Sequence, residues 1–393
     1  MFGATVLVPY LTGFDPSVAL FTGGLGTLIY ILVTRGRIPA YLGSSFAIIG
    51  AMITASKSWG PGAAVAGALG LGIVYVIIAL VIGRTGTGWV DRLLPPPLVG
   101  AVVIVIGLGL AQTALGMAGL LPGEGGVNPL SRQSLVALTT LLIIMVAGTA
   151  LRGFARVVPV LIGIAGGYVI ALAAGLVDWK PVAAAPWFAL PHFVPPAFDA
   201  HALPAVLLIA PIAIVLVTEH IGHLLVTAEI VGRPFMRDPG LDRSLLGDGL
   251  ASTVAALFGG PPATTYGENI GVMAITRVYS VRVLAGAAVI AILLSFVAKL
   301  GALIHSIPSA VMGGVSIALF GVIAAAGMRL FVEHRVNLAS QRNLLIVSAV
   351  LVLGVGGAHI NFGHFALDGM PLATIAGMLL NLLLPREAEG VDA

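Results

Sequence analysis

Apolar residues run along this chain in stretches of about 15 to 25, each closed by a cluster of Gly, Pro or charged residues. Stretches of that length are what a helix needs to cross the hydrocarbon of a bilayer, which takes about 20 residues. The first is short, with about a dozen apolar residues before Gly13-Phe14-Asp15-Pro16, so the expectation is that the chain begins inside a longer helix. It has no basic leader and no small-residue cleavage site, and a signal peptide is not expected. Further stretches lie near 17–34, 38–56, 62–83, 96–119, 134–151 and 157–176. A second set follows near 204–228, 243–259, 264–279, 283–303, 308–328, 341–356 and 370–384. With the first fragment, the pattern predicts an all-α polytopic membrane protein of fourteen transmembrane segments.

Charge tests that count. Of the 19 Lys and Arg, strict alternation from a cytoplasmic Met1 leaves only Lys57, Arg132, Lys180 and Lys299 outside, and a single miscounted segment would scramble this bias. Both termini are therefore expected in the cytoplasm. The connection near 177–203, with Trp179, Trp187 and several prolines, reads as an interfacial cap. Composition agrees: the chain is 59% hydrophobic and 9% charged, where a soluble domain has about a quarter charged. The net charge of +3 follows from the loop arginines, so no nucleic-acid partner is implied. With no cysteine there is neither a disulfide nor a thiolate metal site, and nothing calls for a cofactor or marks an enzyme.

The halves resemble each other. Ile49-Gly50-Ala51-Met52 recurs as Ile270-Gly271-Val272-Met273, and Pro97-Leu98-Val99-Gly100-Ala101-Val102 as Ala310-Val311-Met312-Gly313-Gly314-Val315, each seven segments later. An odd repeat inverts its second copy, which predicts two inverted seven-span repeats with a site at mid-membrane between broken helices, as in secondary transporters.

Ionisable residues inside segments cost about 2.5 to 3.5 kcal/mol each and call for a reason. The candidates are Glu219, Glu268 and Asp248, with Glu229 near a segment end. In Thr218-Glu219-His220-Ile221-Gly222-His223, a spacing of four puts Glu219 and His223 on one helical face, where they could share a proton; the alternative is a structural hydrogen bond between helices. A metal held by Glu219, His220 and His223 lacks a zinc-hydrolase order and a further ligand. Pro261 to Gly271 opens with helix breakers and polar residues, as does Tyr41-Leu42-Gly43-Ser44-Ser45-Phe46, so two half-helix N-termini are expected at mid-membrane. Asp248, in Gly247-Asp248-Gly249, is expected to pair with the arginine-rich loop before it or to cap its helix.

Thr264 to Arg277 (TTYGENIGVMAITR), with Thr218 to His223 and Ala40 to Ala47 (AYLGSSFA), resembles the nucleobase/ascorbate transporter family. The resemblance covers essentially the whole chain. It implies a secondary symporter in a bacterial inner membrane, with short antiparallel strands in spans three and ten. A core domain (1–85 and 203–304) would move against a gate domain (86–202 and 305–386), followed by a cytoplasmic tail (387–393), in a homodimer. The implied cargo is uracil with protons, and Glu rather than Gln at 268 favours it over xanthine or uric acid; an anion exchanger or channel of the same architecture is the more distant alternative. By resemblance Glu219 and Glu268 bind the base and His223 supports Glu219 in proton coupling. Phe46, Tyr266 and Gly267 flank the ring, Ala4 and Ser45 lie beside the pocket, and Thr265 and Asn269 support it. The family pattern places an N-terminal extension, often with a Gln-His pair, ahead of Met1.

Overall fold

The computed structural model describes residues 2–122, 128, 130–361 and 366–385; Arg386 and the tail at 387–393 lie outside it. Proline opens many of the helices, where its missing N–H costs nothing and its fixed φ suits the first turn. α1 (Phe2–Thr12) leads to α2 (Pro16–Val33), capped by Asp15, whose Oδ1 accepts from the Ser17 N–H at 2.8 Å. β1 (Leu42–Ser44) and α3 (Ile49–Trp59) fill the third stretch, and α4 (Pro61–Thr85) the fourth. After short α5 (Gly88–Leu93), α6 (Pro96–Leu108) continues as α7 (Ala111–Met117), followed by α8 (Arg132–Thr149), α9 (Pro159–Ala173) and short α10 (Lys180–Ala184).

The second half parallels the first. α11 (Ala202–Ile209) passes through one 3-10 turn at Pro211 into α12 (Ala213–Val231), then α13 (Leu241–Leu257), β2 (Ala263–Thr265) and α14 (Gly267–Thr276). α15 (Val281–Ser295) and α16 (Ala298–His305) precede α17 (Ser309–Glu333) and α18 (Gln341–Val355). A hairpin of β3 (His359–Asn361) and β4 (Ala366–Asp368) leads to α19 (Gly369–Leu383). Six of the described helices, counting α6–α7 and α11–α12 as continuous, are long and apolar enough to cross a membrane, and α9, α15, α18 and α19 are shorter apolar ones. Large apolar side chains such as Leu142, Val169, Leu293 and Val352 project outward, as lipid rather than water would favour. The chain is a multi-pass membrane protein.

Two groups of helices pack most closely among themselves. In one, α2 and α4 flank α13 while α15 lies on α2 and α11 on α4; in the other, α6 and α8 embrace α17, with α18 and α19 beside α6. Bare backbone permits the tightest crossing of the second group: a Cβ on Gly107 would stand 2.4 Å from the Phe320 carbonyl oxygen, and one on Gly327 2.6 Å from that of Gly100. α12 is where the first group meets α6.

The long connection from α9 to α11 packs against the molecule, as a cap would. His192 N–H donates to Asp15 Oδ2 at 3.0 Å, Ala298 N–H donates to the Trp187 carbonyl, and Lys299 sits 5.3 Å from the centre of the Trp187 ring. Phe193 of the connection joins Phe21 and Phe258 in an edge-to-face cluster.

Candidate functional site

The expected strands are present and they cross. β1 pairs antiparallel with β2 in the register Leu42 with Thr265, Gly43 with Thr264 and Ser44 with Ala263. Backbone buried away from water must find partners. Two more hydrogen bonds extend the ladder, Tyr266 N–H to the Tyr41 carbonyl and Ser45 N–H to the Pro262 carbonyl, each 3.0 Å. A hydroxyl from the helix preceding each strand pins it: Thr27 on α2 accepts from the Leu42 N–H at 2.9 Å, and Ser252 on α13 accepts from the Ala263 N–H at 3.0 Å. Gly43 is required at the crossing, because a Cβ there would lie 2.2 Å from the Tyr266 hydroxyl.

Beside the crossing is a cavity of about 320 Å³. The strand side contributes Ser44, Phe46, Thr264, Thr265, Tyr266, Gly267 and Glu268, and α12 contributes Glu219 and His223. The opposite wall comes from the second helix group, through Val103 on α6 and Val322, Ile323 and Ala326 on α17. The lining continues along α12 to Ile230 and along α14 to Ala274, reaching Arg329 at the end of α17, so the cavity opens at that end of the molecule. Phe46 is held edge-on against Phe320, ring centres 5.6 Å apart.

Glu219, Glu268, His223, Phe46, Tyr266, Gly267 and Thr265 thus line one space. Glu268 is in the first turn of α14, where the helix dipole favours a negative charge, and its buried Oε1 has no hydrogen-bond partner. Thr264 Oγ1 is likewise buried and unpartnered. These atoms, with Glu219, face a cavity otherwise mostly apolar, so a small molecule offering N–H donors and acceptors would satisfy them.

Several expectations need correcting. Glu219 and His223 share a face but not a hydrogen bond: the His223 ring turns toward β2, its Nδ1 lying 3.1 Å from Thr265 Oγ1, while Glu219 takes a long contact of 3.5 Å from the Ser45 hydroxyl. A Cβ on Gly267 would come within 3.1 Å of His223 Nε2, so the ring is wedged against the start of α14. Ser45 is fully buried and backs Glu219 instead of lining the cavity; successive strand residues point to opposite sides, which gives the cavity to Ser44 and Phe46. Asn269 faces a small void beside Tyr30 and His220, its amide nitrogen unpartnered. The Tyr266 phenol is engaged with Thr5 Oγ1 at 3.1 Å. Ala4 lies on α1, and its side chain is outside the described part.

Asp248 differs most from expectation. It pairs with no loop arginine and caps no helix. It is fully buried, with Oδ2 2.7 Å from His220 Nδ1 and 3.1 Å from the Tyr75 hydroxyl. His220 Nε2 is 2.7 Å from Ser244 Oγ, which is 2.7 Å from the Tyr30 hydroxyl. With Asp248 as the acceptor and a neutral His220 ring, donation runs from Tyr30 to Ser244 to His220 to Asp248. With its ring so committed, His220 turns away from Glu219 and His223, and the three do not form a metal cluster. Sequence reasoning also missed Ser44 and Thr264; the helix breakers around them were the available signal.

A sequence profile described as the Permease family matches residues 1–362. The uracil permease of Bacillus caldolyticus is 54% identical over 396 residues, covering 100% of this chain and 91% of its own length. The uracil permease of Escherichia coli strain K12 is 48% identical over 383 residues, covering 98% of this chain and 88% of its own. Among solved structures, the transmembrane domain of the cyanobacterial bicarbonate transporter BicA aligns with a TM-score of 0.61 over 97% of this chain and 95% of that domain. At 19% identity that likeness is one of fold.

Proposed function

The chain belongs to the permease family, and on that premise we propose that it imports uracil together with protons across the cytoplasmic membrane of a bacterium. One observation carries the reading: Glu219 and Glu268, over 40 residues apart in sequence, meet at a single cavity where Glu268 keeps an unpartnered oxygen. The relatives named uracil permeases support the cargo, since they align over nearly the whole chain.

Uracil carries two ring N–H donors and two carbonyl acceptors. The carboxylates of Glu219 and Glu268 accept from the former, and backbone N–H groups at the start of α14 donate to the latter. Phe46 supplies an apolar surface for the ring. Carrying two ionised acids through lipid is costly, so one of them moves with a proton, which ties cargo to proton. Glu219 is assigned that proton, with His223 orienting the site through Thr265.

The architecture proposed is of fourteen spans in two inverted repeats with both ends cytoplasmic. Matching hydroxyl pins on the two strands, Thr27 and Ser252, support the repeat. The core domain (1–85 and 203–304) carries the site, and the gate (86–202 and 305–386) supplies the wall of α6 and α17, a division that leaves the cavity between moving parts. The protein works as a homodimer by alternating access, and the cavity's opening toward Arg329 is its inward-facing state.

A potential of 100 mV supplies about 2.3 kcal/mol per charge, so one proton sustains roughly fifty-fold accumulation. Proteoliposomes with an imposed proton gradient should concentrate labelled uracil and lose it when the gradient is collapsed. Uptake indifferent to the gradient overturns the coupling. Competition by unlabelled xanthine or uric acid matching that of uracil overturns the cargo.

A further inference from the structure

A second concavity, of about 470 Å³, lies near the cavity's open end and is lined mainly by polar groups. Its walls come from three connections: Arg37 after α2, Arg233 after α12, and Tyr279, Ser280 and Arg282 at the start of α15. It lies at the same end of α12 as the transport cavity's opening, Val231 of its lining following Ile230 of the other. Arg37 is paired with the exposed Asp238, which leaves part of its five-donor guanidinium free. Arg233 and Arg282 have no acidic partner among the described residues. Three positive charges therefore stand against one negative. The Ser280 hydroxyl makes no capping hydrogen bond to α15, whose first residues, Val281 and Arg282, line the same space.

We propose that this concavity binds the phosphate headgroup of an anionic membrane lipid. The basic walls fit a phosphate, but so would a soluble one. The apolar surroundings favour lipid: Leu32 on the last turn of α2 is 76% exposed and Val283 on the first turn of α15 56% exposed. The exposed apolar surface continues along α15 through Val289, Ile290 and Leu293. A headgroup in the concavity would thus have its acyl chains beside a surface that needs hydrocarbon, with arginine at the interface where its charge stays solvated.

Each arginine near an anionic surface contributes about fivefold in affinity, so a net of two charges implies roughly thirty-fold preference for an anionic over a zwitterionic lipid. The full chain in detergent, titrated with phosphatidylglycerol or phosphatidylcholine and read by native mass spectrometry, measures that preference. The R233Q/R282Q double variant should reduce it to about threefold or less, with R233Q and R282Q alone falling between. R156Q/R335Q removes the same charge from other loops and should leave it unchanged. Uracil binding retained by R233Q/R282Q establishes that it is folded. Unaltered lipid preference in folded R233Q/R282Q overturns the proposal. So does inorganic phosphate that saturates the site and displaces phosphatidylglycerol completely, which would make it a site for soluble anions.

Discussion

Replacing Glu268 with Gln tests the site where its chemistry is most exposed. The change keeps side-chain length and one carbonyl acceptor but puts an NH2 donor where a carboxylate oxygen stood. Because Oε1 has no partner within the protein, the fold has no internal hydrogen bond to lose there. What it loses is a charge in the first turn of α14, worth about 0.3 to 1 kcal/mol through the helix dipole. Partial relief of desolvation works the other way. The melting temperature should accordingly shift by about 2 °C or less. Bound uracil, by contrast, loses a hydrogen bond to a charged acceptor, about 1.5 to 3 kcal/mol, or roughly 10- to 150-fold in Kd. Calorimetric titration of purified Glu268→Gln with uracil, beside a thermal melt, separates the two quantities. A Kd within about threefold of the unaltered protein would refute the assignment. Weak binding with a melt lowered by about 10 °C would place the defect in the fold rather than in the site.

Other substitutions probe the neighbouring parts. Glu219→Gln should abolish proton-driven uptake of uracil in proteoliposomes, because it removes the group assigned to carry the proton. His223→Ala should reduce uptake more than equilibrium binding, since the ring's hydrogen bond is to Thr265; equal losses in both would make it a direct ligand. Gly43→Ala drives a methyl into the buried Tyr266 phenol and should cost about 1 to 3 kcal/mol in denaturant unfolding, with partial recovery in Gly43→Ala/Tyr266→Leu. Ser244→Ala strands His220 Nε2 and the Tyr30 hydroxyl without water and should cost about 1 to 3 kcal/mol by the same measurement.

Much of the fold was legible because lipid imposes a length on each apolar stretch, and the helix ends lie close to those stretches. The broken helices were legible too, since Gly43 and Pro261-Pro262 cannot sit within regular helix at no cost. Harder to read was anything decided by rotation about an element's own axis. Ser44 and Ser45 are chemically identical, and only the strand's register decides that one faces the cavity and the other backs Glu219. The spacing of Glu219 and His223 placed them on one face without revealing that β2 would offer His223 a nearer partner. Asp248 lay one turn from a basic loop in sequence, but the packing of α13 against α4 and α12 surrounds it with Tyr75 and His220 instead. Such pairings depend on which helices become neighbours, and no local pattern encodes that.

The pairing of Leu42 with Thr265 also has a consequence for biosynthesis. A ribosome adding about 5 to 20 residues per second delivers the second strand roughly 10 to 45 s after the first. Throughout that interval the Tyr41 carbonyl, the Ser45 N–H and the Gly43 backbone between them lack the partners that the second strand later brings, and hydrocarbon supplies none. Thr27, synthesised just before, provides the one early anchor, to Leu42. The emerging first half therefore needs shelter at the insertion machinery or in the headgroup layer, and insertion of the chain is completed in the order of its contacts rather than of its codons.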